Sequence, residues 1–152
     1  MRSHIIAMGK WKKGPEQALF DTYCDRMRPA PVLKELDIRK KLSGDELKQA
    51  EATLLLEAVP KGAVIVAMDE RGKTLPSRTF ADKIQTWMDQ GRGDIAFIIG
   101  GADGLDESVR ARADLLLSFG AMTWPHMLVR PMLAEQLFRA QAILAGHPYH
   151  RD

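Results

Sequence analysis

Two short stretches decide most of what this chain can become. Ala63-Val64-Ile65-Val66-Ala67-Met68 and Ile95-Ala96-Phe97-Ile98-Ile99 are unbroken apolar runs, ended by Asp69 and Gly100. A run without alternation has no face to give to water, so each reads as a strand buried on both sides of a parallel sheet. Between them Phe80, Ile84, Trp87 and Met88 recur at helical spacing, from about Ser77 to Gln90. The connection is too long for a hairpin, so strand, helix and strand form a crossover unit.

The rest of the chain repeats the alternation. Ser3 to Met8 reads as a strand, and Pro15 to Met27 as a helix whose first position tolerates proline's missing N–H. Val32 to Ile38 alternates as a strand. Ser43-Gly44-Asp45-Glu46 has the form of a capping box ahead of a helix to about Ala58, which Pro60 and Gly62 close. Arg71-Gly72-Lys73 reads as a turn, Glu107 to Ala113 as a short helix, and Leu115 to Ser118 as the last strand. Met122-Thr123-Trp124-Pro125 opens a final helix expected to run to about Ala145. Pro131 falls inside it, forfeits the bond to the Met127 carbonyl, and is expected to kink it at a cost of about 3 kcal/mol. The expectation is one three-layer α/β domain over residues 1–152, with a mostly parallel sheet of five or six strands. Ligands of such sheets bind beyond the carboxyl ends of the strands, here the loops after Met68, Ile99 and Ser118.

Composition narrows the function classes. With 45% hydrophobic and 28% charged residues among 152, the chain is neither disordered, nor a disulfide scaffold, nor a coiled coil. Its single cysteine, Cys24, forms no internal disulfide, indicates a reducing compartment, and reads first as a small apolar residue. Apolar runs stay far below the roughly twenty residues a bilayer requires, and Met1 to Gly9 lacks an export signal, so a cytoplasmic location is expected. The net charge of +2 conceals an asymmetry: residues 1–41 hold ten Lys and Arg against five Asp and Glu, the remainder twelve against fifteen. Lys10, Lys12 and Lys13 follow the first strand and Arg39, Lys40 and Lys41 the second. On one edge they would form a basic rim for a polyanion, and apart they are solvated loop charges.

Familiar chemical signatures are mostly missing. The loop Gly100-Gly101-Ala102-Asp103-Gly104 follows a buried strand but lacks the G-x-G-x-x-G order, and no G-K-[ST] marks a P-loop. Three histidines, His126, His147 and His150, lie in the last 27 residues without metal-ligand spacing. No nucleophile stands beside a base. His126 with Arg130, and Glu135 with Arg139, share helical faces at i,i+4, the second couple reading as an ordinary surface ion pair.

One block is specific. Ile98 to Leu105, Leu117-Ser118, Met122-Thr123-Trp124-Pro125-His126, Glu135 to Ala140 and the terminal Pro148-Tyr149-His150-Arg151 resemble, in order and spacing, the bacterial large-subunit rRNA pseudouridine N3-methyltransferases. These are the small stand-alone members of the trefoil-knotted SPOUT superfamily. The resemblance spans the chain and is strongest from Ile98 onward. It implies a C-terminal deep trefoil knot, an exception to the usual rule against threading, and S-adenosyl-L-methionine bound bent within it, in a homodimer acting on 23S rRNA of the assembled ribosome without a metal. Matched by position, the cofactor contacts are Met68, Gly101, Gly120, Ala121, Met122, Thr123, Trp124 and Pro125. The family's loop usually reads GGP where this chain has Gly100-Gly101-Ala102, a serine commonly stands at Gly120, and a β-branched residue at Pro131. The catalytic residues expected are His150, Arg151 and Tyr149, from a flexible tail closing over the partner's site: Tyr149 to stack on a base, Arg151 to hold phosphate or a developing imidate, His150 to handle the proton. His126 reads as a helix-start structural residue. Two rivals stay open, a non-catalytic ribosome- or RNA-binding factor on this fold and a knotted methyltransferase acting on tRNA.

Overall fold

The computed structural model describes all residues, 1–152. Five strands, β1 (Arg2–Met8), β2 (Val32–Leu36), β3 (Val64–Lys73), β4 (Asp94–Ile99) and β5 (Leu115–Leu117), form one sheet in the order β2-β1-β4-β3-β5. Every pairing is parallel. The interior positions go to the most apolar segments: Ile95 to Ile99 and Val64 to Ala67 are all buried, whereas edge strand β2 leaves Val32 58% exposed. Helices α1 (Pro15–Cys24), α3 (Ser77–Asp89) and α5 (His126–Leu144) cover one face, and α2 (Gly44–Glu57) and α4 (Glu107–Arg112) the other. Two apolar layers result. One gathers Ile5, Phe20, Phe80, Phe97, Leu133 and Leu137, the other Ile6, Leu55, Ile65, Ile98 and Val109. Each such side chain contributes about 1.5–3 kcal/mol by leaving water.

Several local expectations change. Helix α1 ends at Cys24, and Arg26 and Met27 continue only as turns bonded to Tyr23 and Cys24 carbonyls. Strand β2 stops at Leu36. Ser43 makes no side-chain cap, whereas Asp106 caps α4 by accepting from the Ser108 N–H at 3.0 Å. Helix α5 continues through Pro131 in one piece.

The largest departure concerns Arg71-Gly72-Lys73, which is strand rather than turn. Both Met68 and Lys73 pair with Leu117, so β3 bulges outward between them and then rejoins β5, where the Ser118 N–H donates to the Lys73 carbonyl at 2.9 Å. Gly72 crosses β5 so closely that a Cβ would stand 2.5 Å from the Leu116 carbonyl carbon and oxygen. Sheet propensity could not reveal this return, because the distant Leu116-Leu117 edge supplies the partner.

Candidate active site at the strand ends

Because all strands run the same way, their carboxyl ends share one edge, and there the chain opens a cleft of about 250 Å³. Its walls come from the three loops expected to matter. The β3 bulge supplies Met68, Asp69, Glu70 and Arg71, the loop after β4 supplies Gly100 to Leu105, and the segment after β5 supplies Phe119, Gly120, Met122, Thr123 and Trp124. His126 and Val129 of α5 and Lys48 of α2 complete it. Of the residues matched by position, Met68, Gly101, Gly120, Met122, Thr123 and Trp124 line the cleft, while Ala121 and Pro125 sit in the same exposed segment but outside the lining.

The glycines have distinct steric reasons. A Cβ on Gly100 would meet the Gly104 carbonyl oxygen and Leu105 Cδ2 at 2.9 Å, so the loop closes only without a side chain. A Cβ on Gly101 would meet the Glu51 carboxylate at 2.8 Å. Gly120 has φ +119°, a conformation L side chains rarely adopt, and its N–H donates to Ser118 Oγ at 3.0 Å. Any L side chain at that position would be strained in this backbone. Met122 is 77% and Trp124 41% exposed, an apolar rim with the Trp124 indole N–H donating to the Phe119 carbonyl.

Behind the cleft, α5 is bolted to the ends of β1 and β2. Arg130 is fully buried and donates to Glu35 Oε2 at 2.7 Å, the Gly9 carbonyl at 2.7 Å and the Met8 carbonyl at 3.1 Å, with its guanidinium over the Trp11 ring. Glu35 Oε2 also accepts from the Trp11 N–H. One turn earlier His126 faces the same strand end, and burial together with Arg130 lowers its pKa below 6.5, which favours the neutral imidazole. The sequence showed His126 and Arg130 on one face but gave no sign of Glu35, 95 residues away, as the partner of Arg130.

The C-terminal tail is docked rather than loose. Arg139 forms an ion pair with Glu135 at 2.6 Å, lies over the Tyr149 ring, and donates to His150 Nδ1 at 3.0 Å. Tyr149 packs edge-on against Phe138 and its hydroxyl donates to Glu135 Oε1. Asp152 is held by Arg78 and by His150 Nε2. Arginine is only a donor, so His150 accepts at Nδ1 and its Nε2 is the nitrogen that donates to Asp152. The couple Glu135–Arg139, expected as an ordinary surface pair, is partly buried and organises the tail. Tyr149, His150 and Arg151 do not line the cleft of their own protomer.

Cys24 is half-buried, and burial with the negative charges of Asp21 and Asp25 pushes its pKa up to about 11, which suits a packing residue. No group of three or more His, Cys, Asp or Glu is placed to hold a metal ion, and no helix is long and apolar enough to cross a membrane. The rim is brought together: β1 and β2 are parallel neighbours, so the exposed Lys10, Lys12, Lys13, Arg39, Lys40 and Lys41 leave the edge that carries the cleft.

Comparison with known proteins agrees with this architecture. A model described as "Predicted SPOUT methyltransferase" matches residues 1–150. The ribosomal RNA large subunit methyltransferase H of Rhodospirillum centenum is 60% identical over 151 residues, covering 99% of both chains. The protein of that name from Paramagnetospirillum magneticum is 59% identical with the same coverage. Among solved structures, a probable methylase family protein from Haemophilus influenzae has a TM-score of 0.54 at 11% identity, covering 99% of this chain and 70% of its own. TrmJ from Z. mobilis has a TM-score of 0.52 at 14% identity, covering 93% and 70%. With its parallel α/β sheet and the C-terminal trefoil knot of that fold class, the chain belongs to the ribosomal RNA large subunit methyltransferase H family of SPOUT methyltransferases.

Proposed function

We propose that the chain transfers a methyl group from S-adenosyl-L-methionine to N3 of a pseudouridine in 23S rRNA, in the cytoplasm, as a homodimer on the assembled ribosome. The observation that carries this reading is the cleft at the strand ends beside a basic rim on the same edge, in a chain 60% identical to a ribosomal RNA large subunit methyltransferase H.

The residues present fit the cofactor. Met68, Ile99, Leu117 and Val129 offer apolar surface to an adenine, and Gly100, Gly101 and Gly120 bring bare backbone to its polar edge. Asp69, Glu70 and Asp103 place negative charge around a ligand whose sulfonium is positive. When bound, the cofactor supplies an electrophilic methyl carbon open to in-line attack. The chain's contribution is then alignment, exclusion of water and management of the N3 proton.

Tyr149, His150 and Arg151 serve the partner's site in this reading. Support comes from the tail's fixed posture against Glu135, Arg139 and Arg78, which presents the exposed Arg151 outward from α5. Tyr149 offers a stacking face, Arg151 a charge for phosphate or imidate, and His150 a proton site once Arg139 releases its lone pair. A second copy is supported by the face formed by α3, α5 and the turn after α1, where Met27, Ile84, Met88, Leu137, Phe138 and Leu144 line a depression of about 630 Å³. It is larger than the strand-end cleft but lacks the glycine loop and its acidic groups.

The test is incubation with methyl-labelled cofactor and, separately, assembled ribosomes, isolated subunits and tRNA. Label in large-subunit RNA of assembled ribosomes supports the reading. Label only in tRNA favours a tRNA enzyme on this fold, and no transfer with tight ribosome binding favours a non-catalytic factor.

A further inference from the structure

Glu51 is a buried acid to which the fold gives no donor. It lies on the inner side of α2, 8% exposed, with its carboxylate oxygens 2.8 and 3.4 Å from where a Cβ on Gly101 would stand. Burial and the negative charge of Asp103 act on it, and both push its pKa up; neither a hydrogen bond nor a cation of the chain offsets them. The side chain is packed away, but its carboxylate oxygens are not sealed, since Arg130 Nε alone is a fully buried side-chain atom without a partner; an acid so placed, with no donor of the chain, is open to a donor from a ligand. Its neighbours give the direction of that use. Gly101 and Asp103 line the strand-end cleft, as does Lys48, one turn earlier on the same helix. Glu51 itself is not among the lining residues; Gly101 stands between its carboxylate and the cleft and, having no side chain, leaves room for the carboxylate that a Cβ would displace.

We propose that Glu51 is a cofactor-binding residue whose carboxylate accepts a hydrogen bond from S-adenosyl-L-methionine at Gly101. This rests on the reading that the cleft holds that cofactor. Of the molecule's donors, the ones proposed are a ribose hydroxyl and the α-ammonium of the methionine tail, rather than the adenine amino group. Either one turns an unpaired buried acid into half of a charge-assisted hydrogen bond.

The test is calorimetric binding to the intact protein, with Glu51→Gln, which keeps the shape and removes the charge, and Glu51→Asp, which withdraws the carboxylate by one methylene. Melting curves establish that both variants fold. The probes are S-adenosylmethionine, S-adenosylhomocysteine, 5′-methylthioadenosine, adenosine and 2′,3′-dideoxyadenosine. Glu51→Gln is expected to weaken S-adenosylmethionine by about tenfold to a hundredfold, the size of one hydrogen bond to a charged group. If the α-ammonium is the donor, S-adenosylhomocysteine weakens in parallel and methylthioadenosine does not. If a ribose hydroxyl is the donor, methylthioadenosine and adenosine weaken too, while dideoxyadenosine is unaffected. Unchanged affinity in both variants, or an equal loss for every probe including dideoxyadenosine, overturns the proposal, the second result meaning a contact to the adenine amino group or a distorted loop rather than a contact to ribose or ammonium. Failure of the unsubstituted protein to bind S-adenosylmethionine would instead overturn the cofactor reading, and the role of Glu51 with it.

Discussion

Arg130→Met removes the bolt between α5 and the β1–β2 edge while keeping an apolar stem of similar length. Three hydrogen bonds disappear, one to the Glu35 carboxylate and two to the carbonyls of Met8 and Gly9, together with the guanidinium stacked 4.6 Å above the Trp11 ring. Breaking one side of a buried ion pair costs about 3–5 kcal/mol, because the remaining charge is stranded. Glu35 keeps the Trp11 N–H and its side chain is 24% exposed, so water returns to it and the lower end of that range applies. Relief of the unpartnered Arg130 Nε, which has no acceptor, acts in the same direction. A loss of about 3 kcal/mol corresponds to a Tm lower by roughly 6–12 °C for a chain of this size. The assay is thermal unfolding at one fixed protein concentration, since self-association would shift Tm by mass action. Arg130→Lys should lose nearly as much, because one ammonium cannot reproduce a planar fork shared by a carboxylate and two carbonyls. A melting temperature within about 2 °C of the parent in both variants would mean that Arg130 does not hold α5 to the β1–β2 edge.

Gly72→Ala inserts a methyl group 2.5 Å from the Leu116 backbone, which cannot rotate away as a side chain could. It should destabilise by at least the roughly 1–3 kcal/mol of overpacking, whereas alanine at Gly93, with open space around it, should change urea unfolding far less. His126 makes stability depend on pH with a defined sign. Its folded pKa lies below the unfolded value near 6.5, so its contribution is present above that value and is lost as pH falls through the depressed folded pKa. Urea midpoints measured from pH 7.5 to 5 should therefore fall less steeply for His126→Gln than for the parent, and identical slopes would remove His126 as the cause. Lys12 and Lys13 replaced together by Glu should raise the KM for ribosomes without altering cofactor affinity, and an unchanged KM at moderate salt would separate the rim from RNA contact.

The sheet and its ligand edge were legible because burial on two faces leaves an unmistakable mark. Ala63 to Met68 and Ile95 to Ile99 had no polar position to spare, and parallel order then fixed which loops share the strand ends. What escaped was set by partners distant in sequence. Arg71-Gly72-Lys73 looks like a turn until Leu117 offers it an edge, and Glu135–Arg139 looks like a surface pair until Tyr149 and His150 fold onto it. Glu51 gave no local signal at all, since an acid among Ala50, Ala52 and Thr53 reads as solvated until α2 turns it toward Gly101. Pro131 marks the same limit: the residue alone forecasts a lost bond within α5, but what holds the helix on either side of it comes from distant partners, Arg130 toward β1 and Leu133 and Ala134 in the core. The matched cofactor segment, Gly120 to Pro125, came from resemblance and not from periodicity, because its exposed residues carry no pattern.

In the proposed enzyme a cleft, a rim and a partner's tail serve one atom of RNA. The most direct measurement is nucleoside mass analysis of 23S rRNA from ribosomes lacking the modification, after incubation with the protein and S-adenosylmethionine. A single new nucleoside, 3-methylpseudouridine, is expected on assembled ribosomes, and none when Tyr149 to Asp152 are deleted from an otherwise intact dimer. A methyl group on any other nucleoside or atom would rule out the proposed reaction, and the same product made undiminished by the truncated dimer would rule out the tail's part in it.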